Sequence, residues 1–225
     1  MPLLTPDQLE ALRRIDTPTI CNAVEKLGIR PPTEGYTGTD IRCLLPHLGV
    51  MVGYAVTARL ATSDPAGQHN MAPYWQMFEQ VEASPKPVVL VAEEVGPRRT
   101  HGMVFGDGMA TVATRLGAVG LLTNAGVRDL AGIRALGFHV FAEGLAASHG
   151  NFGVVEAGTP VTISGVTVQP GDLVHGDENG VVVLPVEVAG DVIRIAQEIQ
   201  AFEASLFAFF RGPDFTLQGL KERVQ

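Results

Sequence analysis

Cysteine is scarce in this chain, with only Cys21 and Cys43 among 225 residues. Their separation fits no metal-ligand spacing. With no signal peptide ahead of them, the expectation is a reducing cytoplasm rather than a disulfide-stapled secreted fold. Lys/Arg runs are absent as well, and the formal net charge is −8. Nucleic-acid binding depends on a basic surface that neutralises phosphates, so no nucleic-acid partner is expected, although a local arginine can still hold an anionic substrate. No apolar stretch reaches the roughly 18 residues of a membrane span, so no membrane partner is expected either. What the chain does have is 46% apolar composition, enough for one good core. The reading is a single domain over 1–225.

Thr5-Pro6-Asp7-Gln8 has the form of a helix start, with Thr5 as cap, Pro6 at the first helical position and Gln8 closing a capping box. Thr17-Pro18 repeats the device for a helix running to about Leu27 and stopped by Gly28. The Pro, Gly and Thr content from Arg30 to Pro46 predicts a loop, and a strand follows through Gly53 to Leu60. Polar residues from Ser63 to Asn70 predict a surface loop, and Met71 to Val81 a helix. The middle then alternates in the βαβ manner: strand Val88–Ala92, helix Gly108–Leu116, strand Val119–Thr123, a short helix ending at Gly137, and strand Phe138–Ala142. This predicts a parallel sheet with a ligand crevice at its carboxyl ends.

After Gly153 the hydrophobic period changes to two. Val161–Ile163 and Val166–Val168 flank the turn Ser164-Gly165 as a hairpin, and Leu173–His175 and Val181–Leu184 are two further strands. The last helix begins near Glu187. Val188, Val192, Ile195, Ile199, Phe202, Leu206 and Phe209 form one apolar stripe along it, and Phe207 and Phe210 widen the stripe towards a subunit interface.

Chemistry concentrates at two strand-to-helix junctions, Phe105-Gly106-Asp107-Gly108-Met109 and Asn124-Ala125-Gly126-Val127-Arg128-Asp129. Small residues ahead of each acid allow a sharp turn that presents amide N–H groups. A carboxylate, a guanidinium and open amides facing one crevice suit a hard divalent cation and a small oxo-acid anion.

These junctions, together with Pro160 to Val174 and Asp177-Glu178-Asn179-Gly180 to Pro185, resemble the RraA-like family. That family includes class II pyruvate aldolases that cleave 4-hydroxy-4-methyl-2-oxoglutarate, and the resemblance runs from about Thr17 to Phe210. It implies an α/β/β sandwich with a parallel-containing central sheet, a hairpin-rich C-terminal part and a long final helix, assembled as a homotrimer or homohexamer. It also implies Mg²⁺ or Mn²⁺ at Asp129, Arg128 facing the pyruvyl oxygen where enolate charge develops, and the amides of Gly108 and Met109 on the pyruvyl carboxylate. Asp107 is then the group that orients or deprotonates a proton-relaying water. A glutamate of the last helix is expected to enter a neighbouring subunit's site, with Glu203 the better match and Glu198 the alternative.

Each assignment has a blander rival. Asp107 alone reads as a helix cap, and Arg128-Asp129 alone as a surface ion pair worth little. His69, His101, His139, His149 and His175 lack a helical i, i+4 partner and read as surface or core residues. Cys21, within a predicted helix, reads as a small buried residue rather than a nucleophile, and Arg98-Arg99 as a solvated turn or, less directly, a partner for a distal carboxylate. Two function classes follow from the resemblance. One is a metal-dependent lyase acting on a 2-oxo acid by retro-aldol cleavage or oxaloacetate decarboxylation. The other is a non-catalytic regulator that inhibits RNase E. Those regulators tend to lack the acid after the arginine, and Asp129 favours the lyase.

Overall fold

The computed structural model describes residues 3–66 and 70–224. His69 lies outside the described residues. In chain order the elements are α1 (Pro6–Arg13), α2 (Thr17–Lys26), β1 (Arg42–Cys43), β2 (Met51–Leu60), α3 (Ala72–Ala83), β3 (Val88–Glu94) and β4 (Met103–Phe105). There follow α4 (Asp107–Arg115), β5 (Ala118–Thr123), β6 (Gly126–Val127), α5 (Leu130–Ala135), β7 (His139–Ala142) and β8 (Gly144–Leu145). The last third holds β9 (Val154–Ala157), β10 (Val161–Ile163), β11 (Val166–Val168), β12 (Leu173–Asp177), β13 (Gly180–Leu184), α6 (Ala189–Arg211) and α7 (Leu217–Val224).

The first helix forms as its sequence dictates. Thr5 Oγ1 accepts from the Gln8 amide at 3.2 Å and Gln8 Oε1 from the Thr5 amide at 2.9 Å, a complete capping box. For α2 the cap lies one residue earlier than the sequence suggests. Asp16 Oδ1 accepts from the Thr19 amide, while Thr17 spends its amide on Asp177 Oδ2 and its hydroxyl on His175 Nδ1. Gly28, at φ +63°, ends the helix.

Strands β7, β5, β3 and β2 lie side by side in parallel, and β12 pairs antiparallel with the first half of β2. Outer strands β1 and β13, with β9 against the far end of β2, complete an eight-stranded mixed sheet. Nine of the ten residues of β2 are buried, because both faces of the sheet are covered. On one face Val56, Leu60, Leu90, Leu121 and Val140 meet the layer of α3, α4 and α5. On the other, Val89, Val91, Leu122 and Phe141 meet the β10–β11 hairpin through Val161, Ile163, Val166 and Val168. A further cluster packs α1, α2 and the first half of α6 over Val52, Tyr54, Leu173 and Val182. Helices, main sheet and hairpin form the α/β/β order. No helix among the described residues is long and apolar enough to cross a membrane.

Several elements differ from the sequence expectation. Strand β1 interrupts the region from Arg30 to Pro46, and β9 and α7 carry no periodic signal long enough to announce them. A 3-10 turn, Val186–Val188, precedes α6, so the helix starts at Ala189 rather than near Glu187. Most consequential is a second, three-stranded parallel sheet, β4-β6-β8, built where the chain continues beyond β5 and β7.

Candidate active site

This small sheet positions the site. The Arg128 amide donates to Phe105 O at 3.0 Å, so β4 and β6 end in register and their two strand-to-helix junctions sit side by side. Beneath them the buried rings of Phe105 and Phe138 stack with centroids 5.6 Å apart. Strand β4 passes through Gly106 into α4, whose first internal bond runs from the Ala110 amide to Gly106 O. The amides of Asp107, Gly108 and Met109 therefore precede the helical ladder and are free to serve an anion, where the helix dipole also favours negative charge. Asp107 is the first helical residue, and the cap position is held by Gly106, so the acid is not the N-cap.

Strand β6 passes through Arg128 to Asp129, which adopts the left-handed conformation at φ 56°, ψ 36°. An aspartate tolerates this region better than most residues, yet a non-glycine here is held by its surroundings. The consequence is that its carboxylate turns back towards α4: a Cβ built on Gly106 would lie 2.9 Å from Asp129 Oδ2 and 3.3 Å from Arg128 Nε. Reciprocally, a Cβ on Gly132 of α5 would lie 2.7 Å from Asp107 Oδ2. The two acids thus reach across each other's turns, and the absence of side chains at Gly106 and Gly132 makes the room.

Arg128 Nε lies 3.0 Å from Asp129 Oδ2, with the two side chains 37% and 40% exposed. Nε is itself enclosed and its N–H makes no hydrogen bond among the described residues, so the contact with Asp129 is an ion pair. At this exposure such a pair contributes no more than about 1 kcal/mol to stability. Among the described residues no group of three or more His, Cys, Asp or Glu is placed to hold a metal. A single carboxylate such as that of Asp129 is the donor chemistry of a hard ion that keeps most of its waters, as Mg²⁺ does.

Support from below comes from Glu94, which the sequence reading left beyond the end of its strand. Only 3% exposed, it accepts from both the amide and the hydroxyl of Thr62 and of Ser63, and from the Gly96 amide. Thr62 Oγ1 also accepts from the Met103 amide at the start of β4, and Asn124 Oδ1 accepts from the Glu94 amide. This network ties the ends of β2, β3, β4 and β5 together. An acid closing the apolar run Val88–Ala92 was the available clue.

Arg99 is paired with Glu143 at 2.9 Å, and Arg98 spends its amide on Ser63 Oγ. His175 is fully buried between Thr17 and the carbonyl of Leu12, and burial lowers its pKa. Cys21 is half-buried, and burial raises its thiol pKa, which keeps it protonated and poorly nucleophilic. Glu198 is engaged by Arg194 at 2.9 Å and lies 3.9 Å from Lys26. Glu203, half-buried on the distal part of α6, has no hydrogen bond or ion pair among the described residues.

The fold and the junction define a mixed α/β protein with an anion-receptive helix start beside an Arg-Asp pair. Residues 17–183 match the model of the RraA-like family, described as Aldolase/RraA. The chain belongs to that family. It is 32% identical over 153 residues to a provisionally named 4-hydroxy-4-methyl-2-oxoglutarate aldolase of Halalkalibacterium halodurans, covering 67% of each chain. It is 28% identical over 200 residues to the uncharacterised protein MJ0644 of Methanocaldococcus jannaschii, covering 88% of this chain and 86% of that one. Among solved structures, Streptomyces coelicolor RraAS2, described as an unusual member of the RNase ES inhibitor RraA family, superposes with a TM-score of 0.70 at 26% identity. The match covers 91% of this chain and 97% of that one.

Proposed function

We propose that this protein is a divalent-metal-dependent lyase that cleaves a carbon–carbon bond of a 2-oxo acid through pyruvate enolate. The observation that carries the reading is the left-handed Asp129, which holds the Arg128-Asp129 pair against the open amides of α4. The aldolase name of the H. halodurans relative supports it. The amides of Gly108 and Met109 bind the substrate carboxylate, which orients the keto oxygen towards Arg128. In a retro-aldol substrate Asp107 takes the proton of the 4-hydroxyl through a water. The bond between carbons 3 and 4 then breaks, and its electron pair becomes the enolate. Arg128 stabilises the charge that develops on the enolate oxygen, and protonation at carbon 3 gives pyruvate. With oxaloacetate the same bond breaks with loss of carbon dioxide. A Mg²⁺ or Mn²⁺ ion held by Asp129 and water would add positive charge next to the carboxylate and keto oxygens.

The active species in this reading is a homotrimer or homohexamer in which Glu203 of one chain completes a neighbour's site. The unpaired carboxylate of Glu203, on a helix segment with exposed Phe202 and Phe207, supports Glu203 over the engaged Glu198. A coupled assay of pyruvate release from oxaloacetate and a panel of 4-hydroxy-2-oxo acids, with and without Mg²⁺, tests the function. Turnover that requires the ion is expected. No release from any of them, together with inhibition of an RNase E-type nuclease, would favour the regulator reading that the likeness to RraAS2 also supports.

A further inference from the structure

Glu94 is bonded to both arms of the candidate site without belonging to either. Its carboxylate accepts from the Thr62 amide, 3.1 Å from Oε1 and 3.0 Å from Oε2, and from the Thr62 hydroxyl at 2.7 Å. It also accepts from the amide and hydroxyl of Ser63 and from the Gly96 amide. An ionised carboxylate only accepts hydrogen bonds. The Thr62 hydroxyl therefore turns its proton to Glu94 Oε2 and a lone pair to the Met103 amide, 2.9 Å away. Met103 opens β4, which leads through Phe105 and Gly106 to the open amides of α4. The backbone of Glu94 holds the other arm. Asn124 Oδ1 accepts from the Glu94 amide at 2.7 Å and Asn124 Nδ2 donates to the Glu94 carbonyl at 3.4 Å, just ahead of β6 and Arg128. Two bare α-carbons make room for the acid, since a Cβ on Gly96 would collide with Oε1 and one on Gly102 would lie 2.6 Å from Cγ.

From this arrangement we propose that Glu94 is a positioning residue for the site: its carboxylate sets where β4 begins relative to β6, and so where the open amides of α4 stand relative to Arg128. The two arms meet at the bond from the Arg128 amide to Phe105 O, two residues beyond Met103. Strand β4 is only three residues long, so a shift at Met103 reaches that bond. Side-chain shape alone does not set this register. Glutamine has the length of glutamate but offers one acceptor oxygen and an NH₂ group. Turned one way its NH₂ faces the amides of Ser63 and Gly96, and turned the other way it faces the Thr62 amide. Either orientation leaves buried N–H groups without an acceptor.

The kinetic consequence rests on the reaction proposed above, whereas the geometric one does not. Helix α4 keeps its own amides wherever β4 begins, so binding of the substrate carboxylate changes little. Arg128 loses its place over the keto oxygen, and a misplacement on the order of 1 Å costs as much as about 10²-fold in rate. Because Glu94 acts through Arg128, its replacement has no further effect once Arg128 is gone.

The test uses the full chain and Glu94→Gln. Thr62→Val, which keeps the side-chain shape and removes only the hydroxyl relay, carries the same expectations if Glu94→Gln does not fold. Pyruvate release from oxaloacetate with Mg²⁺ should show kcat lowered by about 10- to 10²-fold with KM nearly unchanged. The double variant Glu94→Gln/Arg128→Ala should be no slower than Arg128→Ala alone. Amide hydrogen exchange reads the placement without any reaction. The amides of Met103 and Arg128 should exchange about tenfold or more faster in the variant, measured against the Tyr54 amide, which is bonded to Pro87 O at the opposite end of the sheet. Unchanged relative exchange at Met103 and Arg128 would overturn the proposal. So would rate losses that multiply in the double variant, as two independent contributions do. A wild type that turns over neither oxaloacetate nor a 4-hydroxy-2-oxo acid would remove the proposed reaction instead, and the exchange result would then decide the placement by itself.

Discussion

Val192 and Ile195 on α6 are 0% and 7% exposed, whereas Phe202, on the same apolar stripe two turns later, is 51% exposed. The first half of the helix lies across α2 and the edge of the main sheet. Among the described residues, the ring contacts of the second half are with itself and the C-terminal segment beside it. Phe209 and Phe215 approach to 5.6 Å, Arg223 of α7 lies 3.9 Å over the Phe209 ring, and Gly219 abuts that ring. A hydrophobic period states which side of a helix wants to be covered, and says nothing about which chain covers it. The same division separates the two parts of the proposed site. Arg128, Asp129 and Asp107 are brought together within one chain, and Glu203 is carried on the uncovered segment.

The largest expected effect falls on the self-contained part. Arg128→Ala should lower kcat by about 10²–10³-fold, the usual loss for one oxyanion-type donor, with unfolding free energy almost unchanged because the ion pair is half exposed. Steady-state kinetics and urea titration check both halves of the statement, and a wild-type rate would remove Arg128 from the mechanism.

Next comes the contrast within α6. Ile195→Ala should destabilise the protomer by about 2–4 kcal/mol through the cavity it leaves. Phe202→Ala should cost the protomer little and instead shift the assembly towards smaller species in light scattering. Mixing Arg128→Ala chains with Glu203→Ala chains sharpens the comparison further. Activity should reappear if one chain supplies Arg128 and its neighbour Glu203. Equal behaviour of the two α6 variants in light scattering, or no recovery on mixing, would erase the proposed difference between the halves.

A smaller effect is predicted at the other end of the sheet. The pKa of His139 is lowered to about 4 from 6.5 in the folded chain, so its neutral form stabilises the fold above pH 6.5. As pH falls towards 4 the unfolded chain takes up a proton that the folded chain refuses, and stability drops by about 2 kcal/mol once the partial exposure of the ring is allowed for. Urea titrations between pH 7 and pH 5 should show this slope in the wild type and a flatter one in His139→Gln. Identical slopes would contradict the assignment.

Much of the architecture was legible because it rests on repeated local signals. The capping box at Thr5, the stop at Gly28, the apolar runs of β3 and β5 and the hairpin around Ser164-Gly165 all appear where their residues predict them. The nearness of Asp107 to the Arg128-Asp129 turn was also foreseen from the two strand-to-helix junctions. The means of bringing them together was not. Strands β6 and β8 are two residues each, too short for any period, and exist because β4 offers a partner to β6 and β6 in turn to β8. Nothing in Val127-Arg128-Asp129 announces a left-handed residue, since the usual sign is a glycine, and here the surrounding fold imposes it. Asp16 takes the cap of α2 because Thr17 is drawn into the buried network with His175 and Asp177, a contact between residues far apart in sequence.

The central claim is a pyruvate-enolate site whose metal ion is anchored by Asp129. It is tested most directly by following pyruvate release from oxaloacetate or a 4-hydroxy-2-oxo acid in wild type and Asp129→Ala, first in EDTA and then with Mg²⁺ or Mn²⁺ restored. The account predicts no turnover in EDTA and full recovery with the ion for the wild type, and a slow, ion-independent residue of activity for Asp129→Ala. Full turnover in the chelator, or an Asp129→Ala enzyme that still answers to the metal as the wild type does, would contradict it.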